Sequence, residues 1–162
     1  MHQQPRPATR SGGKRAAAGP GRDDHVLALV HMLSNRIGKA FASELRKFGV
    51  TVAEWRVILT LGLRASANGQ EITGRWAMDK MAVNRAISGL ERRGLVAKRK
   101  NRADRRTIDL SLTASGRALY AELLPAANER YRTLTQCLDR SEAKRLHDLL
   151  VKMIAHADAI TE

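Results

Sequence analysis

The residues of this chain that could do chemistry are cations and amides, grouped in two stretches. Between Lys98 and Arg106, six cations (Lys98, Arg99, Lys100, Arg102, Arg105 and Arg106) meet a single acid, Asp104. A cluster with so little internal neutralisation seeks a polyanion. Upstream, Lys80, Asn84, Arg85 and Ser88 recur at helical spacing, and Asn and Arg can each make bidentate contacts to a purine edge in the major groove. The implied chemistry is recognition of double-stranded DNA, with one element reading bases and another gripping backbone or groove. Catalysis is not indicated. The five histidines (His2, His25, His31, His147 and His156) lack metal-ligand spacing, and no Gly-rich phosphate loop or nucleophile motif appears. Neither an enzyme nor a cofactor nor a metal is therefore expected.

These residues need two positioning elements. From Met78 to Gly94 the chain reads as one helix with its stop: Val83, Ile87 and Leu90 form an inward stripe at steps of four and three, and Gly94 supplies a left-handed end. The following stretch, Leu95 to Leu112, reads as a hairpin with a cationic loop. Leu95 and Ala97 are expected to face one way, joined by Ile108, Leu110 and Leu112 at period two, while Thr107, Asp109 and Ser111 face out. A helix running straight into a basic hairpin is a winged helix-turn-helix signature.

Further helices frame this pair. Val26, Val30, Leu33, Ile37, Phe41 and Leu45 step by three or four, with Asp23 or Asp24 as a cap and Gly49 beyond the end. Thr51-Val52-Ala53-Glu54 is a capping box opening a second helix with Trp55, Ile58 and Leu61 inside, ending near Gly62 and the Ser66 to Gly69 run. A short third helix is expected from Gln70 to Trp76, although Thr73 and Gly74 weaken it. After the hairpin, Thr113 caps a helix whose apolar positions include Leu119, Tyr120, Leu123, Leu124, Tyr131 and Leu134; Pro125 predicts a kink or local break inside it. Asp139 and Glu142 start a last helix in which Leu146, Leu149, Leu150, Met153 and Ile154 face one partner.

Composition agrees with a nucleic-acid partner. The 162 residues carry 29 Lys+Arg against 16 Asp+Glu, a formal charge of +13, with an isoelectric point near 11.0. No apolar run suits a membrane span, and residues 1–22 lack the apolar core of a secretory signal, so a cytoplasmic protein without a membrane partner is expected. The single Cys137 agrees with that compartment and is expected to be a buried, inert thiol. Residues 1–22 carry Arg6, Arg10, Lys14, Arg15 and Arg22 with no acid, and read as a disordered basic arm that grips phosphates or a minor groove, or only solubilises. The terminal helices carry more apolar surface than one small domain can cover. A twofold homodimer is expected, with recognition helices about 34–36 Å apart on a pseudo-palindromic operator.

Taken together, Thr51 to Ile58, Met78 to Gly94, Leu95-Val96 with Asp104-Arg105-Arg106, and Leu112-Thr113 followed by Gly116-Arg117-Ala118-Leu119-Tyr120 resemble the MarR family of transcriptional regulators. The resemblance implies a mainly α fold with a small β-hairpin wing, dimerising through its N- and C-terminal helices. It places 51–112 in the winged helix-turn-helix DNA-binding region and 23–50 with 113–162 in a helical dimerisation region. It also implies a repressor whose wing enters the minor groove and whose small aromatic or anionic effector binds between the two regions. Carried over, Lys80, Asn84, Arg85 and Ser88 fall on the recognition helix, and Arg102, Asp104, Arg105 and Arg106 on the wing. Asp104, being negative, is expected to pair with a neighbouring arginine and fix the wing. Arg92 and Arg93 either satisfy the helix dipole or touch phosphate. Effector candidates are His31, Ser34 and Asn35 on the first helix and Trp55 and Arg56 on the second. Arg56 would be the bidentate partner of a carboxylate, Trp55 a stacking wall and His31 a switchable donor; otherwise Trp55 is core and Arg56 braces the helices by an internal ion pair. The competing reading is an architectural DNA binder with no effector, marked by weak base dependence and a steep salt slope.

Overall fold

The structure, a computed structural model, describes residues 25–101, 104 and 106–160. The basic arm over 1–22, the Asp23 or Asp24 cap, and Arg102 and Arg105 of the wing lie outside the described residues. The chain divides into two compact units, one ending at Ile37 and the other running from Gly38.

The stepped apolar residues after Val26 form α1 (Val26–Arg46). In the first unit the His25 ring accepts a hydrogen bond from the Leu27 N–H at 3.3 Å, and Val26, Val30 and Leu33 are exposed. In the second unit Phe41 and Leu45 are buried, and Gly49 ends the helix at φ +64°, a conformation that costs glycine little.

The Thr51 box opens α2 (Val52–Leu63) as expected: Thr51 Oγ1 accepts from the Glu54 N–H, and Glu54 Oε2 accepts from the Thr51 N–H at 2.8 Å. A second box, unseen in the sequence reading, gives the weak third helix its start. Asn68 Oδ1 accepts from the Glu71 N–H at 2.9 Å and Glu71 Oε2 from the Asn68 N–H at 2.7 Å, opening α3 (Gly69–Trp76). Two satisfied N-terminal amides offset the poor propensity of Thr73 and Gly74. Asp79 caps α4 (Lys80–Arg92) through the Ala82 N–H, and Gly94 sits at φ +67°, as the sequence predicts.

The sheet has three strands, not two. Ala67–Asn68 forms β1 and pairs with β3 (Ile108–Leu112), which pairs in turn with β2 (Val96–Lys100); all pairings are antiparallel, in the order β1-β3-β2. The phase expected of the first hairpin strand also needs correction. Val96, opposite Leu112, takes the inward place, and Ala97 is exposed. Leu95 is still in the turn that leaves α4, its N–H bonded to the Leu90 carbonyl at 2.9 Å, and is buried there. On β3, Leu110 and Leu112 are buried, while Ile108, paired with Lys100 at the outer end, is 49% exposed.

Thr113 caps α5 (Ala114–Thr135), which runs through Pro125 as one element, so no local break occurs there. Gly116 permits the close approach of α5 to the hairpin, because a Cβ would collide with the Leu95 carbonyl oxygen. Asp139 and Glu142 form the predicted box at the start of α6 (Arg140–Ala159). No residue of α6 is buried; Leu146, Leu149, Met153 and Ile154 are exposed. Cys137, expected to be buried, is exposed in the turn between α5 and α6. The core of the second unit lies between α2, α3, α4, the sheet and α5, around Trp55, Ile58, Ile72, Val83, Leu90 and Leu123. Among the described residues no helix is long and apolar enough to cross a membrane.

Candidate nucleic-acid interface

The two faces of α4 separate cleanly. Val83, Ala86, Ile87 and Leu90 are buried, whereas Lys80, Asn84, Arg85 and Ser88 are exposed. Anchoring the apolar stripe in the core fixes the rotation of the helix and so aims the polar residues outward. In front of this face lies a groove of about 370 Å³ whose walls include Asn84 and Ser88 from α4 and Lys98, Ile108 and Leu110 from the hairpin. The structure thus brings the recognition-helix amide and hydroxyl together with a wing cation.

The wing's charge is less free than the sequence count implied. Lys98 Nζ pairs with Glu91 Oε2 of α4 at 2.5 Å, and Arg99 lies opposite Asp109 in register. The turn beyond is built on acceptors. Asn101 receives the Asp104 N–H on its side-chain oxygen at 2.9 Å and donates its amide to both oxygens of Asp109 at 3.1 and 3.0 Å. The backbone closes with Asn101 N–H to the Thr107 carbonyl and Thr107 N–H to the Asp104 carbonyl, each 3.0 Å. Asp104 was expected to hold an arginine side chain; the donors described on its carboxylate are the Arg106 backbone N–H at 3.0 Å and the Thr107 hydroxyl at 2.9 Å. The Arg106 N–H and then the Thr107 hydroxyl hold the Asp104 carboxyl below its ordinary pKa, against a small opposing effect of burial. Asp104 therefore shapes the backbone of the turn, and the exposed Arg106 is carried on it.

Of the two arginines closing α4, Arg93 has a structural role. Its Nη1 donates to the Gly49 carbonyl at 2.9 Å and approaches Glu54 Oε1 at 3.4 Å, tying the end of the recognition helix to the start of α2. Glu54 is thus shared between its own capping box and this brace, a second use the local motif does not reveal. Arg92 is exposed and lines a cleft with Thr51, Glu54, Arg85 and Gly89.

The effector candidates divide between the units: His31, Ser34 and Asn35 lie exposed on α1 in the first, Trp55 and Arg56 on α2 in the second. Neighbours on a helix point about 100° apart, and these two part company accordingly. Trp55 is buried edge-on to Phe41 (5.8 Å between centroids) and stacked on Tyr120 (6.4 Å). Its Nε1–H is buried without a hydrogen-bond partner among the described residues. Arg56 lies over the Trp76 ring at 5.4 Å, and Trp76 Nε1 donates to Thr60 Oγ1 at 2.9 Å. Among the described residues an aromatic face, and no carboxylate, occupies the Arg56 guanidinium. Sequence reasoning missed this pair because Trp76 is remote along the chain.

Known proteins agree with this arrangement. The MarR family model matches residues 48–107, from the end of α1 through the wing. The HTH-type transcriptional repressor MdtR of Bacillus subtilis is 35% identical over 92 residues, covering 57% of this chain and 59% of that protein. Among solved structures, the MarR/EmrR family transcriptional regulator from Acinetobacter sp. ADP1 is 30% identical with a TM-score of 0.78, covering 85% of this chain and 97% of that one. BpsR of Bordetella bronchiseptica is 27% identical with a TM-score of 0.71, covering 79% and 97%. An outward polar helix, a braced wing and a likeness spanning nearly all of a solved relative make this a DNA-binding transcriptional regulator rather than an enzyme, and the chain belongs to the MarR family.

Proposed function

We propose that the protein is a homodimeric repressor that holds a pseudo-palindromic operator through α4 and the wing and is released by a small aromatic or carboxylate ligand. The observation that carries the ligand half of this reading is Trp55, whose buried indole N–H lacks a partner among the described residues. An unpaired buried donor costs about 1–3 kcal/mol, and a ligand acceptor entering the ring cluster removes that cost. Phe41, which packs on both Trp55 and Tyr131, supplies aromatic faces for a planar acid. Arg56 can serve that acid only by leaving Trp76; His31, Ser34 and Asn35 stay as candidates from the sequence. BpsR, whose DNA binding is regulated by 6-hydroxynicotinic acid, supports the ligand class, and the repressor MdtR supports the sign of control.

We assign residues 51–112 to DNA binding and 23–50 together with 113–162 to dimerisation. The support is α6, which buries nothing in the single chain while exposing Leu146, Leu149, Met153 and Ile154; a twofold partner covers such a face. Ligand acts by favouring a dimer whose recognition helices are wrongly spaced, and the shift equals its differential affinity for the two shapes. The test is anisotropy of the protein's own upstream promoter DNA and of scrambled DNA at about 150 mM salt, with and without a panel of aromatic carboxylates including 6-hydroxynicotinate. Sequence-dependent binding abolished by one acid supports the reading. Equal binding to both DNAs, unmoved by any acid, refutes it in favour of an architectural binder.

A further inference from the structure

Met81 stands on the outward face of α4 among polar side chains. Successive helical residues turn by about 100°, so Met81 lies about 200° from the buried Val83 and within about 60° of Asn84, Arg85 and Ser88. It is 63% exposed, more than Leu63 at 59% or Ile108 at 49%, the other large apolar side chains open to solvent among the described residues of 51–112. Met78, three residues earlier, packs against the core instead. The apolar side chain at the middle of the outward face therefore serves no part of the fold of the single chain.

The surroundings of Met81 suit DNA. Lys80 precedes it and Arg85 follows one turn on, both exposed. The neighbouring Asp79 has its carboxylate turned back to the Ala82 N–H at 3.0 Å as the helix cap. The amide, guanidinium, ammonium and hydroxyl of this face can read hydrogen-bond donors and acceptors. The major-groove edges of the four bases also carry one apolar group, the C5-methyl of thymine, and Met81 is the large apolar side chain of the face that can meet it. Its unbranched thioether adapts to the surface it packs on. It is the second residue of α4, and the N-terminal residues of a recognition helix are those that contact base edges.

We propose that Met81 is a specificity-determining residue that packs on the C5-methyl of a thymine in the major groove of the operator. The inference rests on α4 as the base-reading helix and names one of the bases it reads. The rise from Met81 to Asn84 is about 4.5 Å, between one and two base-pair steps of about 3.4 Å. The thymine accordingly lies one or two pairs from the base that Asn84 contacts. Taking one methyl group out of water against the thioether changes affinity about fourfold.

The test is anisotropy of the full chain on synthetic promoter duplexes in which each thymine is replaced singly by deoxyuridine, which removes the methyl and keeps every hydrogen bond. The duplexes contain no 5-methylcytosine, so thymine is the source of any methyl effect. The expected result is a deoxyuridine position at which wild type binds about fourfold more weakly. Met81→Ala binds the unmodified promoter more weakly by a similar factor and loses nothing further at that position. Met81→Leu keeps the sensitivity, and the urea midpoint of Met81→Ala stays in place because the side chain is 63% exposed. Wild-type binding indifferent to every deoxyuridine overturns the proposal. So does a set of deoxyuridine losses that all persist in full in Met81→Ala, the signature of methyl groups acting through DNA shape. In both cases a preference for promoter over scrambled DNA leaves the operator reading standing, whereas equal wild-type binding to the two overturns both together.

Discussion

Replacing Arg93 by glutamine separates two roles that the end of a recognition helix can play, a phosphate contact and an internal brace. Arg93 Nη1 reaches the Gly49 carbonyl at 2.9 Å and Glu54 Oε1 at 3.4 Å, with the Arg93 side chain 38% and the Glu54 side chain 12% exposed. A hydrogen bond to a charged group is worth about 1.5–3 kcal/mol. Solvent screens the half-open arginine, and Glu54 keeps its bonds to the Thr51 N–H and hydroxyl, so the expected loss is about 1–2 kcal/mol. For a chain of this size that lowers Tm by roughly 2–8 °C. Urea unfolding measures the stability, and promoter binding across a salt series measures the electrostatics. The brace predicts reduced stability with an unchanged salt slope. Unchanged stability with a slope smaller by about one, the signature of a lost phosphate contact, refutes the assignment. Glu54→Gln should make the same loss, and the double variant should lose less than the sum.

Three further outcomes follow from local geometry. Gly116→Ala puts a methyl into the Leu95 carbonyl that also accepts the Thr113 N–H; it should cost about 2–4 kcal/mol in urea unfolding, and an unchanged midpoint would contradict the close approach. Ala77 holds φ 46° and ψ 44° in the turn between α3 and α4, so Ala77→Gly should stabilise by about 1 kcal/mol, and a destabilised variant would refute that strain. The Asp104 carboxyl titrates below its ordinary 3.8 because the Arg106 N–H and Thr107 hydroxyl bond its charged form. A depressed folded-state pKa means that its contribution is complete above the unfolded value and is lost as pH falls through the folded one. The pH-dependent movement of the Arg106 and Thr107 amide signals should therefore have its midpoint below the ordinary carboxylate value of 3.8; a midpoint above it would count against the turn as described.

The parts of the fold legible in the sequence were those carried by local chemistry. The Thr51 and Asp139 boxes, the Val83-Ile87-Leu90 stripe and Gly94 each act within a few residues, and each appears where the pattern put it. What failed to show depends on partners distant along the chain. β1 is two residues long, too short for any periodicity, and exists because β3 offers it an edge. Alternation from Leu95 puts Ala97 on the inner face, and that phase is wrong because Leu95 belongs to the turn after α4 and it is Val96 that pairs with Leu112. Charge within the wing does not reveal the partner of Lys98, because Glu91 belongs to α4 and meets it only in the folded chain. The outward polar face of α4 was readable because its opposite face is apolar; the Arg56 contact with Trp76 was not, because nothing local demands it.

The central claim is that α4 reads bases while the wing and the surrounding charge hold the backbone, and Asn84→Ala tests it most directly. Affinity is measured for wild type and variant on promoter DNA and on a scrambled duplex at equal salt. Loss of a bidentate base contact predicts a promoter affinity lower by roughly 5- to 150-fold, about 1–3 kcal/mol, with binding to the scrambled duplex unchanged. An equal loss on both duplexes would remove Asn84 from base readout and contradict the account.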